Sequence, residues 1–185
     1  MQTIRRPAVA GSFYPASRQV LADDIEALLD AAPPATGQDI EQVPPKAMVV
    51  PHAGYIYSGQ TAAMAYARLA AVRQTIKRVV LLGPVHRVPV RGLALPGVDA
   101  FVTPLGEIEL DQAAIALLAG MKQVVVSPAV HAQEHSLEVQ LPFLQSVLED
   151  FKLVPLAVGD ATPGGSGAGA GCALGRPGNA HRGEL

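Results

Sequence analysis

The chain has 185 residues, of which 49% are hydrophobic and 4% are aromatic, and its formal net charge is −2. This length allows one buried core, and this composition excludes a disordered polymer. Because no run of basic residues forms a stripe and no stretch reaches the roughly 18 apolar residues of a membrane span, we expect neither a nucleic-acid nor a membrane partner.

The cysteine count and the first residues of the chain bear on its compartment. A single cysteine, Cys172, cannot form an internal disulfide. The first 17 residues contain two arginines but no apolar segment of the kind that follows them in a secretory signal. We therefore expect a cytoplasmic protein.

The first half of the chain alternates predicted helices and strands. A helix is predicted over residues 17–31, with Leu21 and Ile25 on one face and Ser17 as its N-cap. A short apolar run predicts a buried strand at 47–50, and an alanine-rich stretch predicts a helix at 60–72.

The second half continues this alternation. Strands are predicted at 78–82, 92–95, 101–102, 124–126 and 152–158, and helices at 111–119 and 137–148. Pro142 should kink or restart the last helix. Such alternation predicts an α/β fold with a mostly parallel sheet flanked by helices.

The composition changes after Thr162. Residues 163–185 are rich in glycine and show no apolar period, so we expect a disordered tail. A shifted reading frame in a GC-rich gene would produce an amino-acid sequence rich in Gly, Ala, Pro and Arg, as this segment is. We therefore expect residues 1–162 to form an α/β domain that is incomplete at its C-terminus, followed by a non-native tail.

Two histidines follow predicted strands in matched contexts. His52 lies in Pro51-His52-Ala53-Gly54, and His86 follows Gly83-Pro84-Val85. In α/β sheets, functional groups collect just beyond the carboxyl ends of strands. Two such imidazoles can meet at one ion, although a single strand-end histidine is more often structural.

Five blocks of the sequence resemble the Memo family, which includes the B component of AmmeMemoRadiSam systems. They occur in family order as AGSFYPAS, PHAGYIYSGQTAAMAY, LLGPVHRVPV, TPLGEIELD and EHSLEVQLPFL. The resemblance implies a fold like that of class III extradiol dioxygenases. It also implies a metal site of iron or copper, with His52 and His86 as ligands.

The resemblance further places Glu134 and His135 near the pocket, as catalytic proton handlers or as partners of the ligands. The alternative is that Glu134, Ser136 and Glu138 only cap a helix and form its solvent-exposed first turn. Two other family elements, an S-S-D-x-x-H block and a late cysteine, are missing. Cys172 stands in the wrong context for that cysteine, so we expect this chain to be an impaired, inactive fragment.

Other functions stay open from the sequence. The segment His131-Ala-Gln-Glu134-His135 matches the inverted zincin motif of metalloproteases, which requires a helix. We expect His131 to lie in a loop instead. A non-catalytic module could use the same cleft for a small molecule or peptide, and Tyr55 and Tyr57 either line that cleft or pack their loop.

Overall fold

A computed structural model describes residues 2–33 and 45–161 of the chain. Helices surround its strands on several sides. The α-helices are α1 (Arg18–Asp30), α2 (Tyr55–Tyr66), α3 (Gln112–Ala119), α4 (Pro128–Ala132) and α5 (Leu141–Val147). A 3-10 segment at Ala67–Val72 continues α2, and another at Glu138–Gln140 leads into α5. The predicted tail lies outside the described residues.

The strands are β1 (Ile4–Arg5), β2 (Arg78–Pro84), β3 (Leu93–Leu95), β4 (Ala100–Thr103), β5 (Gly106–Glu109), β6 (Val124–Val126) and β7 (Lys152–Val158). In the described ranges they form two sheets, of order β1-β4-β5 and β2-β7-β3-β6. The pairs β1–β4, β2–β7 and β3–β6 are parallel, whereas β3–β7 and β4–β5 are antiparallel. The predicted α/β class is confirmed, with the strands divided between two mixed sheets.

The main apolar core lies where α1, α2 and α5 pack against both sheets. Its most deeply buried side chains are Leu21, Ile25, Leu69, Phe101, Leu141, Phe143 and Leu153. Burying each such side chain contributes about 1.5–3 kcal/mol to folding. The spacing of Leu21 and Ile25, which predicted a helix, is therefore also the spacing that directs α1 into the core.

Helix α2 begins earlier than the sequence predicted. It starts directly after Gly54, and residues 55–66 bury one face that includes Ser58 and Gly59. A Cβ at Gly59 would lie 3.0 Å from Leu28 Cδ1, so α1 and α2 approach closely there. The hydrophobic pattern missed this turn because two of its buried residues are polar or small.

The predicted strand at 47–50 was wrong. These residues line an apolar groove beside β2, yet none of the strand pairs found in the described residues includes them. Val49 is fully exposed. An apolar run predicts burial, whereas a strand also requires a hydrogen-bonded neighbour.

The remaining elements follow the predictions more closely. Strands β6 and β7 have the predicted bounds, and α3 follows Asp111, whose side chain accepts the Ala114 N–H and caps the helix. Pro142 lies in the first turn of α5, so it restarts the helix there, as one of the two predicted outcomes. Strand β5 had not been predicted.

Candidate metal centre

The two predicted strand-end histidines lie side by side. His86 follows the end of β2 by two residues, and His52 lies two residues before Gly54, the N-cap of α2. Their ring centroids are 5.2 Å apart. The fold therefore brings together two imidazoles that are 34 positions apart in the sequence.

A third imidazole, that of His135, completes a cluster with these two. His135 lies in the turn after α4, and its ring centroid is 4.4 Å from that of His86 and 5.8 Å from that of His52. One ring nitrogen of each histidine lies within 4.8 Å of the other two. We call these three residues the histidine cluster.

The carboxylate of Glu134 lies behind the cluster and is 1% exposed. Its Oε2 accepts the backbone N–H of His86 at 2.5 Å, and its Oε1 accepts the backbone N–H groups of His135 and Ser136 at 2.9 and 3.0 Å. Nδ1 of His86 is 2.9 Å from Oε1, and Nδ1 of His135 is 3.3 Å from it. Both carboxylate oxygens are therefore occupied by donors from the protein.

These hydrogen bonds decide the charge of Glu134. Burial alone would raise the pKa of Glu134, but the N–H groups of Ser136 and His86 outweigh it and lower the pKa to about 2. The side chain is therefore an anion at neutral pH. An anionic acceptor favours a proton on Nδ1 of His86 and leaves Nε2 of that ring free to bind a metal.

Burial disfavours the charged form of the rings of His52 and His135. Burial lowers the pKa of His52, and repulsion from His86 lowers it further, against the attraction of Glu134. Burial also lowers the pKa of His135, and repulsion from His86, His52 and Arg87 lowers it further, against the attraction of Glu134. Neutral imidazole is the form that binds metal ions.

An open cleft of ≈ 570 Å³ adjoins His52 and His135. Its wall includes Phe13, Ile56 and Tyr57, and the Phe13 ring lies 4.7 Å from the His135 ring. A mainly apolar cleft beside three polar rings suits a ligand with an apolar or aromatic body.

The two tyrosines that follow His52 have different roles. Tyr55 is buried in α2, and its hydroxyl donates to the Val139 carbonyl at 2.9 Å, so it packs the structure. Tyr57 is exposed and lines the cleft. Each of the two alternatives left open by the sequence thus applies to one of them.

His131 does not join the cluster. It is buried in α4, and its Nε2 lies 2.8 Å from the Ala94 carbonyl oxygen. The prediction that His131 lies in a loop was wrong, because Pro128 occupies the first helical turn, where a missing N–H costs nothing. Since α4 ends at Ala132, His131 and His135 do not share a helical turn, and the geometry does not support the inverted zincin interpretation.

The sequence did not single out two residues near the cluster, Arg5 and Phe13. It offered Glu138 only as part of a solvent-exposed first turn, whereas Glu138 is buried. Phe13 belongs to the AGSFYPAS block, and Glu138 follows Glu134 by four residues in the EHSLEVQLPFL block. The two blocks indicated which segments of the chain lie near the site. They did not indicate which of their residues are in contact, because those residues are far apart in sequence.

The cluster passes a simple test of fit for a metal ion. Three imidazoles suit iron, copper and zinc. Two nitrogens bound at about 2.1 Å can be at most roughly 4.2 Å apart. The ring nitrogens of the cluster now lie within 4.8 Å of one another. Small rotations of the rings would bring them within this limit.

The fold and this cluster define an α/β protein with a three-histidine site that could hold one metal ion. The sequence model of the family described as "Memo-like protein" matches residues 5–168. Because that match covers most of the chain, the chain belongs to the Memo family.

Curated relatives agree with this assignment, and each carries the name MEMO1 family protein. The relative from Aquifex aeolicus is 39% identical over 156 residues, covering 84% of this chain and 55% of the relative. That from Archaeoglobus fulgidus is 38% identical over 161 residues, with 84% and 54% covered. That from Aeropyrum pernix is 41% identical over 163 residues, with 84% and 57% covered. The chain thus spans little more than half the length of these relatives.

Within residues 2–33 and 45–161, none of the helices has the length and apolar character needed to cross a membrane.

Proposed function

We propose that this chain is a metal-binding member of the Memo family that holds one divalent transition metal ion on His52, His86 and His135. The observation that carries the proposal is the approach of three imidazole nitrogens to within 4.8 Å of one another. The metal proposed is iron or copper, in keeping with the resemblance to non-haem dioxygenases.

This proposal changes one role expected from the sequence. His135 becomes a third ligand rather than an acid or base, since its ring is as close to His86 as His52 is. Glu134 orients the rings, because its two oxygens already accept N–H groups of the protein.

The chain's own residues would place a ligand beside the ion. Phe13 and Tyr57 can hold the apolar body of a small molecule and exclude water from the side of the cluster that faces the cleft. When bound, iron or copper would supply redox chemistry at the coordination positions that three imidazoles leave free.

The test is a metal titration of the full chain after removal of metal by a chelator. We expect His52→Ala, His86→Ala and His135→Ala each to weaken binding of Fe²⁺ (without oxygen) or Cu²⁺ by about tenfold or more. His131→Gln is the control, because it changes a buried histidine outside the cluster and should leave the affinity unchanged. Normal affinity in His135→Ala, with losses in the other two variants, would restore the two-ligand site and the acid/base role.

A second candidate is a binding module that uses the cleft without turnover. Two exposed apolar side chains favour it, because Ile56 and Tyr57 are 86% and 83% exposed beside the cleft. Exposed apolar groups next to a concave surface are typical of binding sites for small molecules or peptides. Oxygen consumption with catechol and bound iron would favour the enzyme, and ligand binding that survives chelation would favour the module.

A cytoplasmic location is also a proposal, and it depends on the single cysteine of the sequence. Cell fractionation with an antibody to the chain tests it.

A further inference from the structure

A buried ion pair joins the N-terminal strand to the segment that carries the histidine cluster. Arg5 ends β1, and one terminal nitrogen of its guanidinium is 2.8 Å from Oε2 of Glu138. The two side chains are 6% and 0% exposed. Neither residue belongs to the histidine cluster or to the wall of the cleft.

Arg5 directs its other two nitrogens at the turn that carries Glu134 and His135. Its Nε donates to the carbonyl of His131 at 2.7 Å, and its second terminal nitrogen donates to the carbonyl of Glu134 at 2.8 Å. The guanidinium carbon also lies 5.0 Å from the centroid of the Phe101 ring. Arg5 thus holds the end of α4 and the start of the turn in one place.

Glu138 contacts the N-terminal loop that carries Phe13. Its carboxylate accepts the backbone N–H groups of Ala8, at 2.8 Å, and Val9, at 2.9 Å, and the Tyr14 hydroxyl at 2.6 Å. These three donors come from residues on both sides of Phe13 in the chain, and the Phe13 ring contacts the His135 ring. One ion pair therefore supports both neighbours of His135, the turn behind it and the aromatic ring beside it.

We propose that Arg5 and Glu138 are positioning residues of the metal centre, which set the orientation of Glu134 and His135 without touching the ion. The proposal rests on the metal-binding function proposed above. Its physical basis is that residues 133–135 lie outside any helix, so hydrogen bonds from elsewhere must set their conformation. The planar guanidinium fork supplies one hydrogen bond to the Glu134 carbonyl and one to the His131 carbonyl at the end of α4, while its remaining terminal nitrogen faces Glu138.

The first test is Arg5→Lys in the full chain. Lysine keeps the positive charge beside Glu138, but one ammonium group cannot reproduce the three-way geometry of the fork. We expect Co²⁺ affinity to fall about tenfold, as for other residues that orient ligands, with a changed d–d absorption spectrum. The control is Arg78→Lys, since Arg78 is a half-exposed residue of β2 that pairs with Asp111; this variant should change neither the affinity nor the spectrum.

A second variant covers the case in which Arg5→Lys does not fold. Arg5→Met combined with Glu138→Gln leaves no unpaired buried charge, and an amide oxygen in the place of Oε1 still accepts from Ala8 and Val9. The same fall in Co²⁺ affinity is expected. Unchanged affinity in whichever of these variants folds, or an equal fall in Arg78→Lys, would overturn the proposal.

Amide hydrogen exchange tests the positioning role independently of the proposed metal-binding function. If the unaltered chain binds no metal, the proposed function fails. The positioning role is then decided by the amides of His135 and Ser136, which donate to Glu134. Faster exchange of these amides in Arg5→Lys than in Arg78→Lys upholds the role, and equal exchange overturns it.

Discussion

Glu134 accepts four N–H groups on two oxygens, from His86 twice and from His135 and Ser136 once each. This concentration of donors stabilises the carboxylate despite its burial and connects its charge to the orientation of the rings. Replacing one carboxylate oxygen of Glu134 by an NH₂ group therefore tests whether this side chain orients the rings.

We expect Glu134→Gln to weaken metal binding by about 10–100-fold. The amide NH₂ must take the place of one carboxylate oxygen. An NH₂ group cannot accept a hydrogen bond, so the N–H donor that it faces loses its acceptor. Leaving a buried donor unpaired should also lower the free energy of unfolding by about 1–3 kcal/mol. Metal titration and chemical denaturation measure the two effects.

Glu149→Gln is the matched control for this change. Glu149 is 41% exposed and pairs with Arg73 on the surface, so neutralising it should alter neither metal affinity nor stability beyond a few tenths of a kcal/mol. If both variants bind metal like the unaltered chain, Glu134 does not orient the cluster.

His131 should make stability depend on pH. Burial lowers the pKa of His131 to about 4 from 6.5, although its hydrogen bond to Ala94 partly opposes this. The unfolded chain therefore takes up a proton between pH 6.5 and 4 that the folded chain does not. The stability due to neutral His131 is complete above pH 6.5 and is lost as the pH falls towards 4, by roughly 3 kcal/mol.

His131→Gln removes this titration and keeps an N–H group for the Ala94 carbonyl. Its melting temperature should fall less between pH 6.5 and 4 than that of the unaltered chain. Some decrease should persist, because burial also lowers the pKa of His52 and of His135. An equal fall in melting temperature in both proteins between pH 6.5 and 4 would contradict the prediction.

At the scale of elements, the end of β2 packs directly on the turn after α4. Gly83 lies in this strand, and Ser136 donates its hydroxyl to the Pro84 carbonyl at 2.8 Å. A Cβ at Gly83 would lie 2.6 Å from Ser136 Oγ and 3.0 Å from Leu137 Cδ2. The strand that presents His86 can therefore approach the turn that presents His135 because residue 83 has no side chain.

We expect Gly83→Ala to lower the free energy of unfolding by about 1–3 kcal/mol, as overpacking does. It should also weaken metal binding, since relief of the clash must move β2 and the turn apart. Gly120→Ala is the control, because a Cβ there would meet only the Leu117 carbonyl oxygen at 4.0 Å. Equal stability of both variants in denaturant would show that the contact relaxes without cost.

At the scale of the whole molecule, a metal ion on the histidine cluster would connect separate parts of the fold. His52 precedes α2, His86 follows β2 and His135 follows α4. A ligand that binds only the folded state stabilises it by about 2.7 kcal/mol at 100 times its Kd.

We therefore expect the melting temperature to rise by about 5–10 °C at such a concentration of Fe²⁺ or Cu²⁺. A chelator should reverse the rise, and His86→Ala should abolish it. An equal rise in His86→Ala would mean that the metal binds elsewhere on the chain.

Local patterns alone predicted most of the secondary structure and two members of the cluster. The apolar spacing in α1, the runs that form β6 and β7 and the position of Asp111 are short-range features, and they hold because neighbouring residues decide them. The family blocks likewise pointed to His52, His86, Glu134 and His135. The strand predicted at 47–50 failed because pairing depends on a distant partner.

The sequence by itself determined the α/β class and the family, and it named His52, His86, Glu134 and His135 as candidates near the pocket. Only the tertiary structure decided that His135 stands with His52 and His86 and that His131 stands apart, bonded to Ala94. Spacing along the chain could not separate these two histidines, four positions apart. Their roles depend on where α4 ends and on Arg5, which holds the following turn from more than 120 positions away.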